Sequence, residues 1–106
     1  MIQEKNIEAC PLLKTLNSIS GKWRIVILYT IYQHKVTRYS ELKKSIPNIT
    51  HKVLSSHLKE FLEMDLITRQ AFNSTPPRVE YSLTSKGKKL LQSLQSLYFW
   101  GIDNMK

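Results

Sequence analysis

The chain has 106 residues, 42% of them hydrophobic and 23% charged, with 3 Gly and 4 Pro. That is one ordinary folded domain, too short for a second independent core and too apolar for a disordered tract. Sixteen Lys and Arg against eight Asp and Glu leave a formal net charge of +8, which on so small a domain points to an acidic partner, nucleic acid or an anionic membrane surface.

The single cysteine, Cys10, excludes an intramolecular disulfide and with it a disulfide-stapled secreted scaffold. Met1 to Asn6 lack the apolar stretch of a secretory signal. The longest apolar run, Ile25 to Tyr32, is interrupted by Thr30 and is too short to span a bilayer. A cytoplasmic protein with no membrane partner is expected.

Cys10 to Ile19 reads as a short helix. Pro11 suits its first position, where a missing N–H costs nothing, and Leu12, Leu13, Leu16 and Ile19 share a face. Gly21 breaks the segment. Trp23 to Tyr32 is apolar and free of turn residues, so it reads as a mostly buried helix. His34 to Arg38 reads as a polar connection.

Ser40 is placed to cap a third helix with Glu41 in its first turn, Leu42 and Ile46 on its packed face and Pro47 at its end. Thr50 is placed to cap a fourth. Ile49 and Leu54 have the spacing of a hydrophobic staple, and Leu54, Leu58, Phe61 and Leu62 form a buried stripe. Two short helices around Pro47-Asn48-Ile49 predict a helix-turn-helix over 40–64.

Ile67 to Phe72 and Val79 to Leu83 alternate apolar and polar residues around the turn-rich Asn73 to Arg78, which predicts a β-hairpin and a wing over 67–83. Thr84 is placed to cap a final helix. The expected fold is mainly α with a small β-hairpin. It is a winged helix-turn-helix over the single domain 1–106, with helices 10–19 and 85–104 forming a dimer interface.

The polar face of the fourth helix carries His51, Lys52, Ser55, Ser56 and Lys59 and no acid; Glu60 and Glu63 come only toward its C-terminal end. Such a face suits the major groove, where donors reach base edges and phosphates and carboxylates repel the backbone. An ordinary solvated face usually mixes both signs. Six basic residues in 34–60, Arg38, Lys52 and Lys59 among them, oppose two acidic ones. Arg78, Lys86, Lys88 and Lys89 oppose Glu80 alone. The positive charge thus follows the reading helix and the hairpin. Ser40 and Thr50, at the two helix starts, join the DNA-binding set. Arg78, beside the hairpin tip, is placed to enter a minor groove or hold a phosphate, or else is a strand-edge charge.

Cys10 at a helix start meets amides that favour a thiolate, with Lys14 one turn on in support and Glu8 opposed. It reads equally as a sensor thiol or as a small buried apolar residue. His51 and His57 fall on different faces and His34 lies in a connection, so no metal site is expected. No phosphate-binding loop, nucleophile–base set or carboxylate pair is present, so neither an enzyme nor a cofactor is expected. Tyr98, Phe99 and Trp100 are too apolar to lie free in solvent. With Leu94 and Leu97 they point to a helix that packs on two sides, on its own core and on a second subunit, with Leu12 and Leu13 of the first helix as the partner element; otherwise the helix simply covers one core.

Cys10-Pro11 through Ser20-Gly21-Lys22-Trp23 resembles the opening of HxlR-type bacterial transcriptional regulators. So do Arg38-Tyr39-Ser40-Glu41-Leu42, Lys52-Val53-Leu54 with Leu58, and Pro76-Pro77-Arg78-Val79-Glu80-Tyr81-Ser82-Leu83-Thr84 with Gly87. The resemblance covers about residues 8 to 102, and its last block is the most specific. It implies a dimeric winged-helix repressor or activator, related in architecture to MarR regulators. The fourth helix would read the major groove, the hairpin would be the wing, and the terminal helices would make the dimer.

In several such proteins the cysteine matching Cys10 senses oxidants or electrophiles, quinones and aldehydes included. Lys35-Val36 stands where many members have Gly-Pro, so a different turn is expected there. Asp65 replaces the glycine that usually ends the reading helix, and aspartate tolerates the left-handed backbone. No second cysteine is available near the C-terminus, so oxidation would join Cys10 to its symmetry mate or to a small thiol, and alkylation is the other route.

The expected function is that of a homodimeric, sequence-specific regulator on double-stranded DNA, binding an inverted-repeat operator. It is expected to be a repressor responding to oxidants or electrophiles through Cys10. Two rivals stand beside it: a ligand-responsive winged-helix regulator in which Cys10 is structural, and a winged-helix adaptor for an acidic protein.

Overall fold

The computed structural model describes residues 9–105. Met1 to Asn6, read above for a signal, and Glu8, read as opposing a Cys10 thiolate, lie outside the described residues, as does Lys106. The order is α1 (Pro11–Ile19), α2 (Arg24–His34), β1 (Val36–Arg38), α3 (Tyr39–Ser45), α4 (His51–Glu63), β2 (Ile67–Phe72), β3 (Arg78–Leu83), α5 (Ser85–Ser93) and α6 (Gln95–Asn104). The three strands form one antiparallel sheet in the order β1-β3-β2. This is a winged helix-turn-helix, as the pattern of elements predicts.

The core forms where the apolar stripes of the middle helices meet the sheet. Ile27, Leu28 and Ile31 of α2 pack with Leu42 of α3, Leu54, Leu58 and Phe61 of α4, and Tyr81 and Leu83 of β3. Only one side of α2 is buried, for Val26 and Tyr32 face outward.

Close packing also fixes the junction of wing and α5. The Thr84 hydroxyl accepts the Gly87 N–H (3.0 Å) and donates to the Asp65 carbonyl (2.7 Å), and the Thr84 N–H bonds the Leu66 carbonyl (3.0 Å). A Cβ at Gly87 would collide with that Leu66 carbonyl, so the approach requires glycine. Asp65 itself adopts φ 59°, the left-handed conformation expected of the residue in the glycine's place.

Three expectations are corrected. His34 to Arg38 is not merely a polar connection. Lys35 turns the chain at φ 61°, and Val36, Thr37 and Arg38 pair with Ser82, Tyr81 and Glu80. Three residues are too few to show alternation, and their partner strand lies over forty positions away. Ser40 does not cap α3. The helix starts at Tyr39 directly from the extended Arg38, and no side chain caps it, because the end of β1 delivers the chain in the required direction. The apolar face of α1, assigned above to a dimer interface, is left uncovered by its own chain, where Ile19 alone is buried. The final helix 85–104 is broken at Leu94, whose N–H turns back to the Leu91 carbonyl three residues away (3.1 Å) instead of four, a tight turn that re-aims α6.

Candidate nucleic-acid interface

The start of α4 is built locally. Pro47 ends α3, Asn48 takes the chain through φ 68°, and Thr50 caps the new helix by accepting the Val53 N–H at 3.1 Å. Ile49 and Leu54, on either side of the cap, are both buried. With Leu54, Leu58 and Phe61 facing the core, His51, Lys52, Ser55, Ser56 and Lys59 all fall on the exposed face. The five side chains expected to share a face do so.

The nearest acid is turned away from that face. Arg24 of α2 holds the Glu60 carboxylate at 2.9 Å, and its other terminal nitrogen donates to the Ser20 carbonyl at 3.0 Å. His57 Nδ1 lies 3.6 Å from the same carboxylate. This pair, 36 residues apart in sequence, ties α4 to α2 and leaves the polar face without an exposed carboxylate until Glu63.

Arg38, Ser40 and Arg78 converge on one open groove of about 550 Å³ between the start of α3 and the wing tip, which Ser74 and Tyr39 also line. Arg38 is exposed, with Glu41 only loosely beside it at 4.0 Å. Arg78 is held back from the tip. Its Nε donates to Glu80 at 3.1 Å and its guanidinium lies over the Phe72 ring at 4.2 Å. Lys86 is also engaged, donating to the Met64 carbonyl at the end of α4 (2.9 Å).

Tyr39 is the residue the sequence reading missed. Its hydroxyl lies 3.0 Å from His51 Nδ1 and 3.1 Å from Ser55 Oγ, and its ring stacks on the His51 ring. The available signal was its place at the first turn of the supporting helix, beside Arg38 and Ser40.

Cys10 is buried, 9% exposed, at the N-cap of α1, and its carbonyl accepts the Lys14 N–H at 3.0 Å. Of the residues expected at a dimer interface, Leu12, Leu97, Tyr98 and Trp100 are exposed, while Leu13 and Leu94 are half-buried and Leu94 packs on the chain's own core. Among the described residues no group of His, Cys, Asp or Glu is arranged to hold a metal, and no helix is long and apolar enough to cross a membrane.

The family model for the HxlR-like helix-turn-helix matches residues 18–106. The chain belongs to that family. An HTH-type transcriptional regulator of Halalkalibacterium halodurans is 45% identical to this HxlR-like chain over 100 residues, covering 94% of it and 88% of the relative. The structure of a MarR-family transcriptional regulator from Porphyromonas gingivalis W83 superposes with a TM-score of 0.80 at 35% identity, covering 98% and 97% of the two chains. The redox regulator HypR superposes in its reduced form with a TM-score of 0.83 at 31% identity (92% and 95% covered). Its oxidized form gives 0.78 at 33% (90% and 97% covered). The HxlR-like chain is therefore a DNA-binding transcriptional regulator and not an enzyme.

Proposed function

We propose that this HxlR-like protein is a homodimeric, sequence-specific repressor that sets α4 into the major groove of an inverted-repeat operator and is released when a thiol-reactive oxidant or electrophile modifies Cys10. The observation that carries the DNA reading is the acid-free face of α4. His51, Lys52, Ser55 and Ser56, near its N-terminal end, reach base edges and nearby phosphates. Lys59, Arg38, Ser40 and the capped start at Thr50 hold the backbone, and Arg78, already neutralised in part by Glu80, flanks it from the wing.

The unburied apolar residues of α6 and α1 support a second copy as partner. Support for the thiol switch comes from the likeness to HypR and from the place of Cys10 at the start of α1. Modification there displaces α1 and with it the spacing of the two reading helices, a shift between dimer geometries.

Anisotropy of labelled DNA from upstream of the protein's own gene tests this, with reduced protein, diamide-treated protein and Cys10→Ser. The expected result is tight binding that diamide weakens tenfold or more (~1.4 kcal/mol) and that Cys10→Ser makes insensitive. Binding unchanged by diamide discards oxidation at Cys10, and no preference over scrambled DNA favours the adaptor.

A second reading has its own observation. A cavity of about 420 Å³ between α2, α5 and α6, lined by Tyr29, Tyr32, Gln92, Gln95, Tyr98 and Phe99, is of a size to take a small ligand. In that case the response survives Cys10→Ser.

A further inference from the structure

His51 and Ser55 stand one turn apart on the exposed face of α4, and both meet the same atom of α3. The Tyr39 hydroxyl lies 3.0 Å from His51 Nδ1, 3.1 Å from Ser55 Oγ and 3.4 Å from the His51 carbonyl. The Tyr39 ring is half-buried against the core and stacks on the imidazole at 5.7 Å between centroids and 9° between planes. The hydroxyl is therefore held in place from below.

A phenol has one hydrogen to donate and an oxygen that accepts. A neutral imidazole nitrogen is a better acceptor than a carbonyl already engaged in the helix, and it lies closer. The arrangement in which the phenol donates to His51 Nδ1 satisfies all three groups: the Ser55 hydroxyl then donates to the Tyr39 oxygen, the imidazole proton sits on Nε2, and the Ser55 hydrogen is turned inward. The opposite arrangement, an Nδ1–H donating to the phenol oxygen, fits the same distances and differs from it in the His51 tautomer.

We propose that Tyr39 is a positioning residue for base readout, fixing His51 as the Nε2–H tautomer and Ser55 as an acceptor, so that α4 offers the groove one donor and one acceptor side by side. This rests on the reading of α4 as the DNA-reading helix. In the major groove adenine presents an acceptor, N7, beside a donor, N6, whereas guanine presents two acceptors, N7 and O6. The His51–Ser55 pair complements adenine and opposes guanine. Without the Tyr39 hydroxyl, the Ser55 hydroxyl is free to donate outward and the discrimination is lost.

Two measurements on the full chain test this. Long-range ¹H–¹⁵N spectra at mildly alkaline pH report the tautomer of each histidine. The wild-type His51 is expected as the Nε2–H form alone, and Tyr39→Phe is expected to move it to a mixture. The DNA arm uses the upstream duplex with single base pairs changed through each half-site. Wild-type protein is expected to prefer adenine to guanine at one position by about tenfold or more. Tyr39→Phe is expected to abolish that preference while leaving binding to scrambled DNA and its salt dependence unchanged, which a loss of structure would not do. Ser55→Ala is expected to relax the same position while keeping the His51 tautomer. Wild-type discrimination that survives Tyr39→Phe, or an unchanged tautomer, overturns the role of Tyr39 alone. Absence of any sequence preference in the wild type overturns the reading of α4 itself.

Discussion

Operator affinity is expected to fall about 10³-fold between about 50 and 200 mM salt, as it does when some six phosphates are neutralised. The number follows from which cations the fold leaves available. Arg24 is tied to Glu60, Arg78 to Glu80 and Lys86 to a helix-end carbonyl. Lys52 and Lys59 on α4 are exposed and lie within 4.0 Å of no carboxylate among the described residues, and Arg38 at the groove has only the distant Glu41. Three such cations per protomer make six in a dimer. Titrations of a labelled duplex at several salt concentrations measure the slope. Lys52→Ala is expected to lower it by about two in the dimer, one per protomer. A nearly flat dependence would contradict the electrostatic basis of the interface.

Replacing Leu97 and Trp100 together by glutamate is expected to convert the protein to a monomer and to weaken operator binding by about 10²–10⁴-fold. A helix apolar on every side is normally buried. Yet α6 carries Leu97, Tyr98, Phe99, Trp100 and Ile102 in ten residues and has no buried residue within its own chain. Leu97 is 59% exposed and Trp100 56%, so neither supports the monomer core, and the thermal unfolding of the winged helix is expected to be little changed. Two half-sites are then bound independently, and the gain from linking them disappears. Sedimentation velocity and anisotropy on the same samples separate the two effects. A double variant that stays dimeric would place the interface elsewhere. One that becomes monomeric yet binds the operator as tightly would remove dimerisation from the DNA-binding account.

The parts of this molecule that were legible in its sequence are those decided locally. The stripe Leu54, Leu58 and Phe61 implies an opposite face, and Thr50 with Ile49 marks where that face begins, so the exposed set on α4 follows from spacing alone. The wing was legible for the same reason, two alternating runs around a turn-rich tip. What escaped was decided across the chain. β1 exists because β3 offers it a free edge, and its three residues carry no period of their own. The break at Leu94 has no Gly or Pro to announce it. Arg78 sits beside the tip in sequence but is drawn down onto Phe72 and Glu80, its cross-strand and same-strand neighbours. Tyr39 meets residues twelve and sixteen positions later through a single hydroxyl, a convergence that no pattern along the chain displays.

Selection of bound sequences from a randomised duplex pool shows whether two copies of α4 read a symmetric site. The pool is expected to become enriched in an inverted repeat whose half-site centres lie about one helical turn, ~34 Å, apart. A pool left unenriched, or enriched in a sequence without two-fold symmetry, would contradict symmetric reading by α4.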